Sequence, residues 1–276
     1  DVVFIGTWPY LHRAITAAAL DAGKHVFCQA RMAMDAEEAR DMLDHARRSD
    51  RVAGLCPVPI GLSVDATVKR LMREGDLGAI RLVRVQSFAN VFADPDAPMN
   101  WRKDERLSGL NMHTLGMYVE VIHRWFGWTH SVSGALTQTF TPERTDEAGE
   151  RRPVKVPDQV LFNTVMMGGF PVQYVIGAAL HHGMDAIEVY GSKATLRYDV
   201  KSDVLFGGKA GEGMGKVAVR NDDAYDVEHW SVERDFIAAI REGKEYHPDF
   251  EAGLRYMQVV QAVYRAAETQ ARVELA

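Results

Sequence analysis

The chain has 276 residues, 47% hydrophobic and 25% charged, a balance that suits a globular protein with one large or two modest cores and argues against disorder as its main theme. Its formal net charge of −6 excludes a broad nucleic-acid surface, which needs clustered, uncompensated Lys and Arg; Arg47, Arg48 and Arg51 stand instead among Glu37, Asp44 and Asp50 on a solvated helix face. Both cysteines, Cys28 and Cys56, fall in apolar runs, no apolar run reaches the roughly 18 residues of a membrane span, and no signal peptide is evident, so a reducing, cytoplasmic setting without membrane contact is expected.

Residues 2–6 read as a short buried strand, and 11–22 as an Ala-rich helix closed by Gly23, a good C′ residue. Residues 24–28 form a second strand. Asp35 with Glu38 three positions on signals the start of a helix running to about Arg48, and 52–56 is a third strand. Strands alternating with helices imply βαβ units with right-handed crossovers, hence a parallel sheet. A helix at 63–74 ends in a turn between Gly75 and Gly78, after which the texture changes.

Residues 80–88 alternate polar and apolar, as in a sheet with one wet face, and further strands are expected at 132–140, 159–167, 172–180, 186–190, 194–198 and 217–219. They lack intervening helices of crossover length, so this sheet is expected to be mixed or antiparallel. Helices are expected at 112–126, 232–242 and 251–268, and residues 143–152 read as a polar, mobile loop. The fold class is therefore α/β plus α+β: a partial Rossmann-like parallel sheet over residues 1–78, then a sheet domain with helices over 79–276. Because the chain opens without Met directly in a strand, and three strands are too few for a nucleotide domain built from two βαβαβ halves, roughly 60 to 70 further residues are expected upstream.

The run from Asp1 to His12 with Thr7, Pro9 and His12, then Gly23-Lys24-His25-Val26, resembles the glucose-fructose oxidoreductase, inositol dehydrogenase and rhizopine-catabolism family (Gfo/Idh/MocA). The resemblance continues through Glu74-Gly75-Asp76-Leu77-Gly78, Trp101-Arg102, Ser108-Gly109 and Gly191-Ser192-Lys193, covering essentially the whole chain. It implies an NAD(P)-dependent oxidoreductase acting on a secondary alcohol of a sugar, inositol or related substrate, with the site between the two domains and oligomers formed through the outer face of the second sheet. Each motif is weak alone; their order is specific.

The resemblance places Thr7, Trp8, Pro9 and His12 beside the cofactor, with Trp8 standing where the family has Pro; read as residues alone, they make a structural turn capped by Thr7. Gln29-Ala30-Arg31 occupies the family's Glu-Lys-Pro triplet, so Gln29 and Arg31 become candidate cofactor contacts while Ala30 lacks the lysine's donor and charge. Arg31 either projects a cation into the cleft or merely neutralises a nearby acid. Aligned on Gly116, Thr114 falls at the family's Asp and Tyr118 at its His, one helical turn apart on one face. Tyr118 is the candidate acid–base group, a neighbouring cation easing loss of its proton; the alternative is a core aromatic with its hydroxyl at the rim.

His113 and His123 fall off that face and read as structural, whereas His181 and His182 end a strand from which they could reach substrate. The glycines from Gly207 to Gly215 open no helix and read as a hairpin, and no metal-ligand spacing is present, so no metal is expected. The residue that reads the cofactor's ribose would lie upstream of Asp1, which leaves NAD and NADP both open. Because Ala30 replaces the lysine, a second reading stands beside the enzyme: a catalytically impaired relative that binds a sugar-like ligand or serves as an assembly subunit.

Overall fold

The computed structural model describes residues 1–219 and 231–275. A parallel sheet of order β1-β2-β3 is formed by β1 (Val2–Ile5), β2 (His25–Cys28) and β3 (Ala53–Leu55), linked through α1 (His12–Asp21) and α2 (Ala36–Arg48). Gly23 takes φ 68° where α1 ends, a conformation that glycine adopts without a side-chain penalty. At the start of α2 the Asp35 carboxylate accepts the amides of Glu37 and Glu38, and Glu38 reaches back to the amide of Met34, so three amide donors near the helix start are satisfied by two acids.

After α3 (Asp65–Arg73) the chain enters β4 (Ile80–Phe88), then α4 (Glu105–Ser108), α5 (Leu115–Phe126), β5 (Thr129–Gln138), β6 (Glu143–Thr145), β7 (Arg151–Pro153), β8 (Gln159–Met166) and β9 (Pro171–Gly177). There follow β10 (Ala186–Gly191), β11 (Ala194–Asp199), β12 (Val204–Lys209), β13 (Gly215–Lys216), α6 (Val232–Glu242), α7 (Phe250–Thr269) and β14 (Val273–Glu274). The large sheet has nine strands in the order β13-β12-β11-β10-β4-β9-β8-β5-β14. Only β4 and β9 pair in parallel, so the sheet is mixed. Along β4, Val83, Val85 and Ser87 are buried while Arg81 and Arg84 face water.

Helix α7 lies on β5, α5 and α2 together, and one hydrophobic core therefore runs from Ile5 and Val26 to Val172 and Leu205. A smaller cluster forms where α6 covers Phe27: the Phe27 and Phe236 rings are 5.0 Å apart and Phe236 meets Tyr246 edge-on at 5.2 Å.

Residues 143–152 form no loose loop: β6 and β7 pair as a hairpin anchored by Arg144, whose buried guanidinium donates to the carbonyls of Phe92, Asp94 and Ala97. A charged residue held by three carbonyls looks like surface in a sequence, which is why this element escapes patterning. The strand expected at 217–219 lies instead at Gly215–Lys216, and Gly207 and Gly208 sit inside β12. Helix α5 begins at Leu115 rather than at 112, because His113 takes φ 29° and interrupts the helical path.

The loop ahead of α4 is pinned by Lys103. Its ammonium is 1% exposed, lies 2.5 Å from Asp158 Oδ1, donates to the carbonyls of Val156 and Pro157, and sits over the Phe92 ring. Lys103→Met is expected to lower the unfolding free energy by about 3–5 kcal/mol, since it strands Asp158 as a buried, unpaired charge. The shift in the denaturant midpoint measures it.

Candidate functional site

Two loops meet at the carboxyl ends of the parallel strands. The first, residues 29–34, leaves β2; the second, residues 108–114, leads into α5. Asn111, fully buried, donates from Nδ2 to the carbonyls of Ala33 and Ser108, both at 2.7 Å, and the Leu110 amide donates to Met34. Arg31 Nη1 donates to the His113 carbonyl at 3.1 Å, and the Met32 amide donates to the Tyr256 hydroxyl on α7. Gly109 (φ 62°) is required at the crossing, because a Cβ there would collide with the Met34 backbone.

On the β1 side, Thr7 and Trp8 are exposed while Pro9 is buried and opens the 3-10 turn ahead of α1. His12 is buried, with one ring nitrogen 2.9 Å from the Thr7 carbonyl and the other 3.0 Å from the Met32 carbonyl, so it braces the β1 turn against the loop after β2. Burial lowers its pKa. The Trp8 and Trp101 rings stack at 6.0 Å, and the guanidiniums of Arg102 and Arg31 lie 4.1 and 5.9 Å from the Trp101 ring centre. Gln29 is exposed, Ala30 half-buried and Arg31 buried; with Cys56, Pro57, Val58, Pro59, Met117 and Glu233 they line a cavity of about 330 Å³. A second cavity of about 350 Å³ continues along the same face of α5, past Glu120 and Arg124 to His247.

Thr114 and Tyr118 are not among the residues that line that cavity; their side chains meet the large sheet. Thr114 Oγ1 is 3.0 Å from Ser87 Oγ at the end of β4. Tyr118 is 0% exposed and its hydroxyl completes no hydrogen bond, although it lies beside Ser87 and Asp185. Burial, and then the Asp185 charge, raise its pKa well above the ordinary phenol value; a carboxylate stands where the sequence led us to expect a cation. Asp185 accepts the Phe88 amide at 2.8 Å, and its own pKa is raised by burial.

The structure thus gathers Trp8, Gln29 and Arg31 on one side of the loop junction and Thr114 and Tyr118 on the other; Thr7 and Pro9 flank Trp8, and His12 lies behind them. His181 and His182 are exposed beyond Asp185. Two site residues eluded sequence reasoning. Asp185 carries no local signal, sitting in the turn before β10. His113, read as structural, lies among Arg31, Arg102 and Lys103, its ring edge-on to Phe92 at 6.0 Å.

Comparison with known proteins assigns both parts of the chain to one family. The family model described as "Oxidoreductase family, NAD-binding Rossmann fold" matches residues 1–55, and "Oxidoreductase family, C-terminal alpha/beta domain" matches 69–275. Among curated relatives, levoglucosan dehydrogenase of Pseudarthrobacter phenanthrenivorans is 24% identical over 99% of this chain and 80% of its own length. Inositol 2-dehydrogenase of Klebsiella pneumoniae is 24% identical over 100% of this chain and 77% of its length. The solved structure of a levoglucosan dehydrogenase in complex with NADH superposes with a TM-score of 0.88 at 22% identity, over 100% of this chain and 80% of that one, a likeness of fold.

Burial first, then repulsion from Arg31, Arg102 and Lys103, pushes the His113 imidazole down to about 4. Proton NMR of the ring is expected to show it neutral from pH 5 to 8, with a midpoint that rises in Arg31→Gln. Because the folded pKa lies below the unfolded value near 6.5, the unfolded chain takes up the proton first, so stability falls as pH drops from about 6.5 to about 4. Denaturant midpoints at pH 7 and pH 5 check the sign.

Proposed function

Because the chain belongs to the Gfo/Idh/MocA oxidoreductase family, we propose that it is an NAD(P)-dependent dehydrogenase that moves hydride between the nicotinamide and a secondary alcohol of a sugar, inositol or related polyol. One observation carries the reading. The three parallel strands of the part matched as an NAD-binding fold end, at Ile5, Cys28 and Leu55, on a junction where Gly6, Thr7, Trp8 and Gln29 lie exposed. We assign residues 1–78 to cofactor binding and 79–276 to substrate.

The residues fit the nicotinamide end of such a cofactor. A Cβ on Gly6 would meet nothing within 4 Å, and Thr7, Trp8 and Gln29 are exposed. Thr7 and Gln29 would hold the ribose and carboxamide, and Trp8 would close over the ring. When bound, the nicotinamide supplies the hydride acceptor or donor.

The protein's own contribution is placement and proton handling. Thr114, half-buried at the start of α5, meets the substrate hydroxyl. The substrate's proton passes to Thr114 and on to Ser87, 3.0 Å away; binding draws the nearby Tyr118 hydroxyl into hydrogen bonds with Ser87 and Asp185, and the proton moves through it to the carboxylate, each O–H bond forming as the next breaks. With its pKa raised, the Tyr118 phenol stays protonated at neutral pH and works as a relay rather than as a standing anion. A second reading, a ligand-binding relative without turnover, rests on Ala30, which offers no titratable group where the family's lysine is expected.

The test is cofactor reduction at 340 nm by the protein at its full natural length, with NAD⁺ or NADP⁺ and a panel of sugars and inositols. Turnover is expected, and Tyr118→Phe and Asp185→Asn are each expected to lower kcat about 100-fold with the cofactor's Kd unchanged. Ligand binding without turnover throughout the panel favours the second reading; turnover that neither variant slows removes the proton path.

A further inference from the structure

Arg31 is the most conspicuous charge in the junction, and among the described residues it has no ion-pair partner. Only 8% of the residue is exposed, and among the described residues its Nε is buried without a partner and its single hydrogen bond runs to the neutral carbonyl of His113. Arg102, half-buried on the Trp101 ring, likewise has no acidic partner among the described residues. Other arginines of this chain do find carboxylates: Arg13 with Asp41, Arg124 with Asp65, Arg106 with Asp104 and Arg152 with Asp146. Glu233 lines the same cavity as Arg31 but forms no ion pair with it. Among the described residues Arg31 therefore neutralises no neighbouring acid, one of the two roles its sequence position allowed.

A buried guanidinium held by one carbonyl and an aromatic face keeps most of its donor fork unused, and a planar fork matches a carboxylate in bidentate fashion. Around it the cavity offers the apolar side chains of Met117, Pro57 and Val58, while Trp101 provides flat aromatic surface next door, suited to the C–H face of a sugar. Burial, with Arg102 adding repulsion, pushes Arg31 down only to about 10, so it is still a cation at neutral pH.

We propose that the substrate is a sugar acid, an aldonate or uronate, and that Arg31, seconded by Arg102, binds its carboxylate and orients the alcohol to be oxidised. This rests on the dehydrogenase reading above and adds the substrate's charge, which that reading leaves open. No new bond-making step is involved: the carboxylate is a handle and leaves unchanged.

The experiment pairs each acid with its neutral parent, gluconate and glucuronate against glucose and galactonate against galactose, with glucose 6-phosphate as an anion of another kind. Cofactor reduction at 340 nm and thermal shift without cofactor are read in parallel. Carboxylates are expected to show kcat/KM about 100-fold above their parents, to raise Tm without cofactor, and to lose both effects in Arg31→Gln, with partial recovery in Arg31→Lys. Arg102→Gln, at the more exposed position, should weaken the same preference about 10-fold and serves if Arg31→Gln does not fold. Neutral sugars turned over as well as their acids, or a preference for the phosphate ester, overturns the inference and leaves the dehydrogenase standing. Carboxylate binding that depends on Arg31 but never reduces cofactor sinks the dehydrogenase instead and leaves the carboxylate site in place.

Discussion

The strap between residues 29–34 and 108–114 is the constraint on which the rest of the molecule depends. Backbone groups left over where β2 ends and before α5 begins would be buried without partners, and Asn111 satisfies two of them at once from one amide. Gly109 allows the backbones to approach closely enough for that, and Tyr256 ties the same loop to α7. One set of hydrogen bonds therefore fixes the parallel sheet, the long carboxyl-terminal helix and the helix carrying Thr114 and Tyr118 relative to one another. Arg31 is part of the strap as well as of the proposed site, so its position is set by the fold.

Two buried cations close together show how environment assigns different roles to like charges. Lys103 has a carboxylate, two carbonyls and a ring around it, so its interactions are complete and its task is to hold the chain. Arg31, also buried, has one carbonyl and open donors. Burying a charge is unfavourable unless it is paired, and an unfilled donor set at the mouth of a cleft is where a ligand's charge belongs. His113, kept neutral between these cations, adds no competing positive charge.

Much of the fold is legible in the sequence because it rests on local rules. Gly23 ends α1, Asp35 with Glu38 starts α2, and the period-two pattern of residues 80–88 marks β4. The β6–β7 hairpin is hidden because Arg144 is buried by carbonyls distant in sequence, and the delayed start of α5 because it depends on the φ of His113. For the site, spacing alone puts Thr114 and Tyr118 on one face, but whether a cation or a carboxylate adjoins the phenol is decided by β4 and the turn before β10. That no described acid pairs with Arg31 is likewise a tertiary fact.

Hydrogen–deuterium exchange in the presence of cofactor and a sugar acid tests most directly whether the loop junction is where ligands bind. Protection concentrated at residues 29–34 and 108–118 is the predicted result, with little change beside the neighbouring cavity at 62–69 and 247–252. Protection at the latter segments with none at the junction would contradict the account.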